Sequence, residues 1–254
     1  MHVVIAGGHG KIALLLERLL AERGGQAVGL IRNPAQVADV QKAGAEAVVC
    51  DLETASADDV AVLLSGADAV VFAAGAGAGS GVPRKDSVDR AASALMAGAA
   101  ERAGVRRFVQ ISTMGAGQPP RPGTDEVWAA YITAKTAAED DLRSRDLGWT
   151  ILRPGGLTDA PATGLVRLAA PPVPRGTVPR ADVAAVVAAL LDDPGTSHQT
   201  LELTSGDSPV AAAVRAVTSS RLWFGAGRGF GTPEARCRDA GGRRLGLRRG
   251  RRAR

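Results

Sequence analysis

The chain has 254 residues, 45% of them hydrophobic, with a formal net charge of +5. That content can bury one large domain, or one domain with a small lobe, while two cysteines (Cys50 and Cys237) and three scattered histidines (His2, His9 and His198) give no disulfide framework and no metal site. No apolar run reaches the length of a membrane span and the N-terminus opens straight into a core-like strand, so a cytoplasmic protein without a signal peptide is expected.

The charge is unevenly divided. Residues 218–254 hold eleven Arg and no Lys against Glu234 and Asp239, a net of +9, which leaves −4 for residues 1–217. A mildly acidic body argues against nucleic acid as its partner.

In chain order, Val3-Val4-Ile5-Ala6 reads as a buried strand. It passes into Gly7-Gly8-His9-Gly10-Lys11-Ile12-Ala13 and then into a helical pattern from Leu14 to Leu20. A strand, a tight glycine turn and a helix N-terminus in that order form a socket for the pyrophosphate of a dinucleotide, because unpaired N–H groups and the positive end of the helix dipole face the anion. Gly7 takes the turn, Gly10 lets the main chain approach the phosphates, and small Ala13 lets the helix pack on the strand. The spacing is Gly-x-x-Gly-x-x-Ala rather than the dehydrogenase Gly-x-Gly-x-x-Gly, but its strand-to-helix context is the one the mechanism requires.

Strands are expected at Gln26–Ile31, 46–50, 68–73, 106–112, 149–153 and 200–204, with helices between them. Gly24, Gly104 and Gly148 follow predicted helix ends, and Ser56-Ala57-Asp58-Asp59 resembles a capping box. Strands apolar throughout imply a parallel sheet covered on both faces. The expectation is a Rossmann-like, doubly wound α/β domain over residues 1–217, with a small C-terminal substrate lobe drawn from about 154–217 and ligands at the carboxyl ends of the strands.

The strand-end loops then supply the candidates. Arg32, after the second strand, can fork onto a 2′-phosphate and favours NADP(H), with NAD(H) still possible; an exposed turn arginine would look the same. Asp51 and Leu52 are placed near an adenine, with a solvated loop as the alternative, and Ala73-Ala74-Gly75 offers small residues where backbone lies against a cofactor. Tyr131 and Lys135 lie four apart on one helix face, where an ammonium can draw a phenol towards proton transfer and can also reach the nicotinamide ribose. Ser112, ending the fifth strand, could hold a substrate oxygen beside that phenol. The alternative is that Tyr131 packs and Lys135 is merely solvated.

With these residues in hand, the chain resembles the atypical NAD(P)H-binding branch of the short-chain dehydrogenase/reductase superfamily, related to flavin and biliverdin reductases and to NmrA-like proteins. Gly7-x-x-Gly10-x-x-Ala13, Arg32, Asp51, Ala73-Ala74-Gly75, Ser112, Tyr131-Ile132-Thr133-Ala134-Lys135, Leu152-Arg153-Pro154-Gly155 and Pro179-Arg180-Ala181-Asp182-Val183-Ala184 carry the resemblance, over about residues 1–217. It implies a Rossmann fold, a nicotinamide cofactor that is usually NADP, and a wall near the nicotinamide at Pro154 and Gly155. It does not imply one reaction. The leading expectation is an oxidoreductase passing hydride to a small carbonyl, quinone or flavin-type substrate, with Ser112, Tyr131 and Lys135 catalytic. A non-catalytic NADP-binding regulator is the second expectation, and a sugar-nucleotide epimerase or dehydratase the third. The stretch Thr158–Pro179 reads as a Pro, Ala and Gly-rich loop that suits a small or fairly apolar ligand. Residues 218–254 are expected to be disordered or frameshift-derived, with a genuine arginine-rich arm for nucleic acid or an acidic partner as the rival.

Overall fold

The computed structural model describes residues 1–77, 79–120 and 123–225, with side chains up to Ser219. The arginine-rich stretch from residue 226 onward, Cys237 included, lies outside the described residues, as do the expectations attached to it.

Strands and helices alternate from the start. β1 (His2–Ala6) leads to α1 (Lys11–Glu22), β2 (Gln26–Ile31) to a 3-10 turn and α2 (Val37–Lys42), and β3 (Glu46–Val49) to α3 (Ala57–Leu63). β4 (Ala69–Phe72) is followed by an interrupted helix: α4 (Val82–Arg84), a π-helical stretch over Lys85–Ala91, and α5 (Ala92–Ala103). β5 (Arg107–Ile111), α6 (Glu126–Arg143) and β6 (Gly148–Pro154) continue the parallel core. The later part holds β7 (Gly156–Thr158), β8 (Leu165–Ala169), β9 (Thr177–Pro179), α7 (Arg180–Asp192), β10 (Gln199–Ser205), β11 (Ser208–Pro209) and α8 (Val210–Gly225).

The strands form a nine-stranded sheet in the order β3-β2-β1-β4-β5-β6-β10-β8-β11, with β7 and β9 paired separately. Pairing is parallel from β3 across to β10, and antiparallel only where β8 meets β10 and β11. This is the doubly wound α/β fold that the alternating pattern implies. Successive strand residues point to opposite faces. Val3, Ile5, Val71, Val109 and Leu152 therefore join a core with α1, α7 and α8, while Val4, Val70, Phe72, Phe108 and Ile151 join another with α3, α5 and α6. The sheet order reverses between β1 and β4, and the carboxyl ends there open the cleft described below.

Local signals read from the sequence hold in most places. Ser56 caps α3: its Oγ accepts from the Asp59 N–H at 3.2 Å and donates to Asp59 Oδ2 at 2.6 Å. Gly24 and Gly104 follow α1 and α5 in the left-handed region, both at φ +73°. Gly148 does not end a helix. α6 stops at Arg143, and Gly148 opens β6, where a Cβ would come within 3.2 Å of the Ser197 hydroxyl.

Two further differences matter. The stretch 158–179 is not a plain loop, because it contains β8 and runs into β9. The break at residue 217 falls inside α8, and Thr218 Oγ1 donates to Asp193 Oδ2 at 2.9 Å. The folded body therefore extends past Val217.

Candidate functional site

The glycine turn has the geometry of a phosphate cradle. Gly7 sits at φ +80°, and a Cβ there would meet the Ala74 Cα at 2.7 Å. The amides of Gly7 and Gly8 both donate to the Leu30 carbonyl, at 3.1 and 2.9 Å, which fixes the turn onto β2. Gly8 packs so closely on Gly29 that a Cβ would lie 2.6 Å from its Cα. No side chain caps α1 at Gly10, so the first-turn amides of Lys11, Ile12 and Ala13 remain free for an anion. These features fit a dinucleotide pyrophosphate: a close backbone approach, no Cβ in the way, and donors at a helix N-terminus.

A cleft of about 360 Å³ continues from this turn. Of the residues singled out above, Gly7, His9, Gly10, Arg32, Asp51, Leu52 and Ala73-Ala74-Gly75 line it. Gly8 instead lies beneath the turn against β2. Lys11 and Ile12 are also off its walls: Ile12 packs on the core, and Lys11 Nζ pairs with Asp159 Oδ2 at 2.6 Å. Asp159 also accepts from Arg180 at 2.7 Å, and the hydrogen bond from Lys11, more than the Arg180 charge, holds its carboxyl below the usual range. His9 Nε2 lies 2.9 Å from Asp39 on α2.

Sequence reasoning missed one rim of the cleft. Glu53, two residues beyond Asp51, reaches Arg32 at 2.8 Å and Arg84 at 2.9 Å through the same oxygen, Oε2. Ser87 donates to its other oxygen at 2.6 Å. That Ser87 bond is the largest cause of a lowered Glu53 carboxyl, with both arginines acting in the same direction.

Beyond the Ala73–Gly75 wall lies Tyr131. Its ring centroid is 5.8 Å from Lys135 Nζ and 5.3 Å from Lys85 Nζ, and Trp128 packs against it at 5.2 Å. Lys135 is buried, donates to the Ile111 carbonyl at 3.3 Å and pairs with Asp89 Oδ1 at 3.2 Å, off the hydrogen-bond line. Asp89 Oδ2 accepts from the Ala76 N–H at 3.2 Å, so Lys135 is tied to the loop that walls the cleft. Lys85 and Asp89 sit in the π-helical stretch, where an irregular turn brings both inward. The sequence reading singled out neither residue: only the irregular helix brings Lys85 to the Tyr131 ring and Asp89 to Lys135.

Ser112 is committed elsewhere. Its hydroxyl donates to Glu139 Oε1 at 2.5 Å, and Glu139 also accepts from Arg153 Nε at 2.9 Å and from Arg143 Nη2 at 2.7 Å. Glu139 is fully buried and lies one turn beyond Lys135 on the same face of α6. Pro154 and Gly155 also lie apart from the cleft. The Pro154 carbonyl accepts from the Met114 amide at 2.9 Å, and a Cβ on Gly155 would lie 2.3 Å from the Gly176 carbonyl oxygen. Pro154 thus contacts the loop after β5, and Gly155 the segment that leads into β9. Among the described residues no cluster of His, Cys, Asp or Glu could hold a metal ion, and no helix is long and apolar enough to cross a membrane.

Fold and cradle together define a dinucleotide-binding protein of Rossmann type. The chain belongs to the NAD(P)H-binding family, whose model matches residues 7–194. It is 36% identical over 216 residues to an uncharacterised sugar epimerase of Bacillus subtilis, covering 85% of this chain and 99% of that protein. Among solved structures it is similar to a Bacillus halodurans protein provisionally described as an NAD-dependent epimerase/dehydratase (TM-score 0.78, 32% identity, 85% of this chain and 100% of that one). It is also similar to an anaerobillin reductase from Escherichia coli O157:H7 (TM-score 0.67, 28% identity, 82% and 98% covered).

Proposed function

We propose that the protein is an NAD(P)H-dependent oxidoreductase that reduces a small carbonyl, quinone or flavin-type acceptor, with Tyr131 as the proton donor. The observation that carries this reading is the approach of two ammoniums to the Tyr131 ring, Lys85 Nζ at 5.3 Å and Lys135 Nζ at 5.8 Å, the latter joined through Asp89 to the cleft wall. Gly7, Gly10 and the open first turn of α1 would hold the pyrophosphate, and Arg32, Asp51 and Leu52 the adenosine half. A bound nicotinamide supplies a hydride. The residues of the chain then do the rest: Tyr131 delivers a proton to the substrate oxygen as it gains negative charge, and the two ammoniums stabilise the phenolate left behind.

Trp128, half-exposed beside Tyr131, offers an apolar plane to the acceptor and favours flat conjugated substrates. Ser112 enters this reading only if Glu139 releases it, so substrate alignment rests on Tyr131. The likeness to the E. coli anaerobillin reductase supports the reductase reading. The name of the B. subtilis relative supports a second reading, epimerisation, in which the same tyrosine moves a proton without net consumption of coenzyme.

Titration with NADPH and NADH, followed by a screen of quinones, flavins and simple carbonyls for coenzyme oxidation, tests the proposal. Tyr131→Phe should then lower turnover by roughly 10²–10⁴-fold with coenzyme affinity unchanged. An unaltered rate removes Tyr131 from the mechanism. Turnover of a nucleotide sugar without coenzyme oxidation would select the epimerase reading.

A further inference from the structure

The clasp at the rim of the cleft has a chemical logic of its own. Two guanidiniums, Arg32 from the end of β2 and Arg84 from α4, converge on one carboxylate oxygen of Glu53, at 2.8 and 2.9 Å. Ser87 Oγ holds the second oxygen at 2.6 Å, and the Glu53 N–H donates to Asp51 Oδ1 at 3.0 Å, which stiffens the loop below it. Arg32, Glu53 and Arg84 all line the cleft that opens from the glycine turn, in the company of Asn33 and Asp51. Two arginines and a hydroxyl gathered on one anionic group is an arrangement that a phosphate monoester would also satisfy. Such a group carries close to two negative charges and three acceptor oxygens at neutral pH, and guanidinium forks match it.

We infer that Glu53 is an internal stand-in for the coenzyme's 2′-phosphate, that Arg84 is a second phosphate-binding arginine beside Arg32, and that the exchange of Glu53 for phosphate sets the NADPH-to-NADH preference. The inference rests on the nicotinamide reading above and names the residues that decide which coenzyme it takes. In the free protein the carboxylate keeps both arginines charged-paired and aimed at one point. A 2′-phosphate entering there takes over both forks and leaves Glu53 to solvent. Arg32 and Arg84 are 54% and 40% exposed, so neither has to leave a packed environment for this exchange. NADH presents a hydroxyl at the same position. A hydroxyl carries no charge and cannot displace a carboxylate from two guanidiniums, so NADH binds with the clasp closed and owes nothing to Arg84.

The residues make opposite predictions, which gives the test its edge. Coenzyme affinities are measured by fluorescence or calorimetric titration with NADPH, NADH and the fragments 2′,5′-ADP and 5′-AMP, which need no turnover. Arg84→Ala should weaken NADPH and 2′,5′-ADP by roughly tenfold or more, the scale of a lost charged hydrogen bond, with NADH and 5′-AMP within about twofold of wild type. Glu53→Gln keeps the shape and the Ser87 contact but removes the competing charge, and should tighten NADPH and 2′,5′-ADP several-fold while sparing NADH. Equal effects of Arg84→Ala on both coenzymes would overturn the inference. So would a loss of NADH affinity in Glu53→Gln, which would make Glu53 a ligand of the ribose hydroxyls instead. If wild type binds both coenzymes but neither variant moves their ratio, the clasp alone is disproved. If wild type binds neither, the nicotinamide reading falls and the clasp with it.

Discussion

At the scale of single residues, Glu17 is a side chain whose burial carries a cost. It lies on α1 directly under the glycine turn, fully buried, and neither carboxyl oxygen has a hydrogen-bond partner among the described residues. A Cβ on Gly29 would lie 2.6 Å from its Oε1 and one on Gly8 3.0 Å, so two glycines make the room it occupies. Burial pushes its pKa up to about 8, from an ordinary 4.5. The folded chain therefore keeps a proton between those values that the unfolded chain has already released, and stability falls as pH rises through that window. At about 1.4 kcal/mol per pH unit, the loss reaches roughly 3 kcal/mol by pH 7 and is complete above pH 8. Glu17→Gln stays neutral throughout. Denaturant unfolding at pH 5, 7 and 8.5 should show the variant gaining on wild type with each step; a constant difference would mean the carboxyl is not the titrating group.

Residues of this kind mark how far the sequence could be read. Glu17 was not singled out, although it falls on the buried stripe of α1 with Ala13, Leu16 and Leu20, and a lone carboxylate on such a stripe is a signal. The glycine turn was legible because its chemistry is local. The Glu53 clasp was not, because Arg32 and Glu53 come from two strand-end loops and Arg84 from α4, which only the sheet brings together. Ser112 presents the same problem in reverse: its strand-end position was readable, while its bond to Glu139 depends on how α6 packs.

Among the elements, the parallel strands were legible because they are apolar on both faces. β8 was missed because it alternates: Val166 and Leu168 are buried, while Leu165 and Arg167 face outward among Pro and Gly-rich flanks. A short strand at the antiparallel margin carries half the apolar signal of a central one. The junction between the sheet and this lobe depends on Gly155. Its amide donates to the Leu203 carbonyl at 2.8 Å, and the Gly176 carbonyl oxygen stands 2.3 Å from where a Cβ would be. That obstacle is backbone, so it yields only if the chain entering β7 moves away from the chain entering β9. Gly155→Ala should therefore cost about 1–3 kcal/mol, a penalty of overpacking, and lower Tm by several degrees. Its effect on coenzyme affinity separates this role from a place against the nicotinamide. A stable variant with weakened NADPH binding would favour the second.

For the whole molecule, composition and topology drew the boundary of the fold differently. The change from a mixed to an arginine-rich sequence suggested an end at Val217, but charge content reports solvation, and a helix can carry on through such a change wherever its inner face still has something to pack against. α8 does so. Ala213 and Val214 are buried in the same core as α1 and α7, and one turn later Thr218 bonds Asp193 at the end of α7 and presses its methyl on Gly195, where a Cβ would come within 2.3 Å. Thr218 thereby ties the last helix to the turn that leads into β10, at the far end of the sheet from the cleft. A chain ending at residue 217 should lose this bond and the final turns of α8, and unfold about 1–3 kcal/mol less stably than one ending at residue 225. That difference is several degrees in Tm for a domain of this size. Because the loss is remote from the glycine turn, coenzyme affinity at low temperature should be the same for both. Equal melting of the two chains would place the boundary of the cooperative fold at Val217 after all.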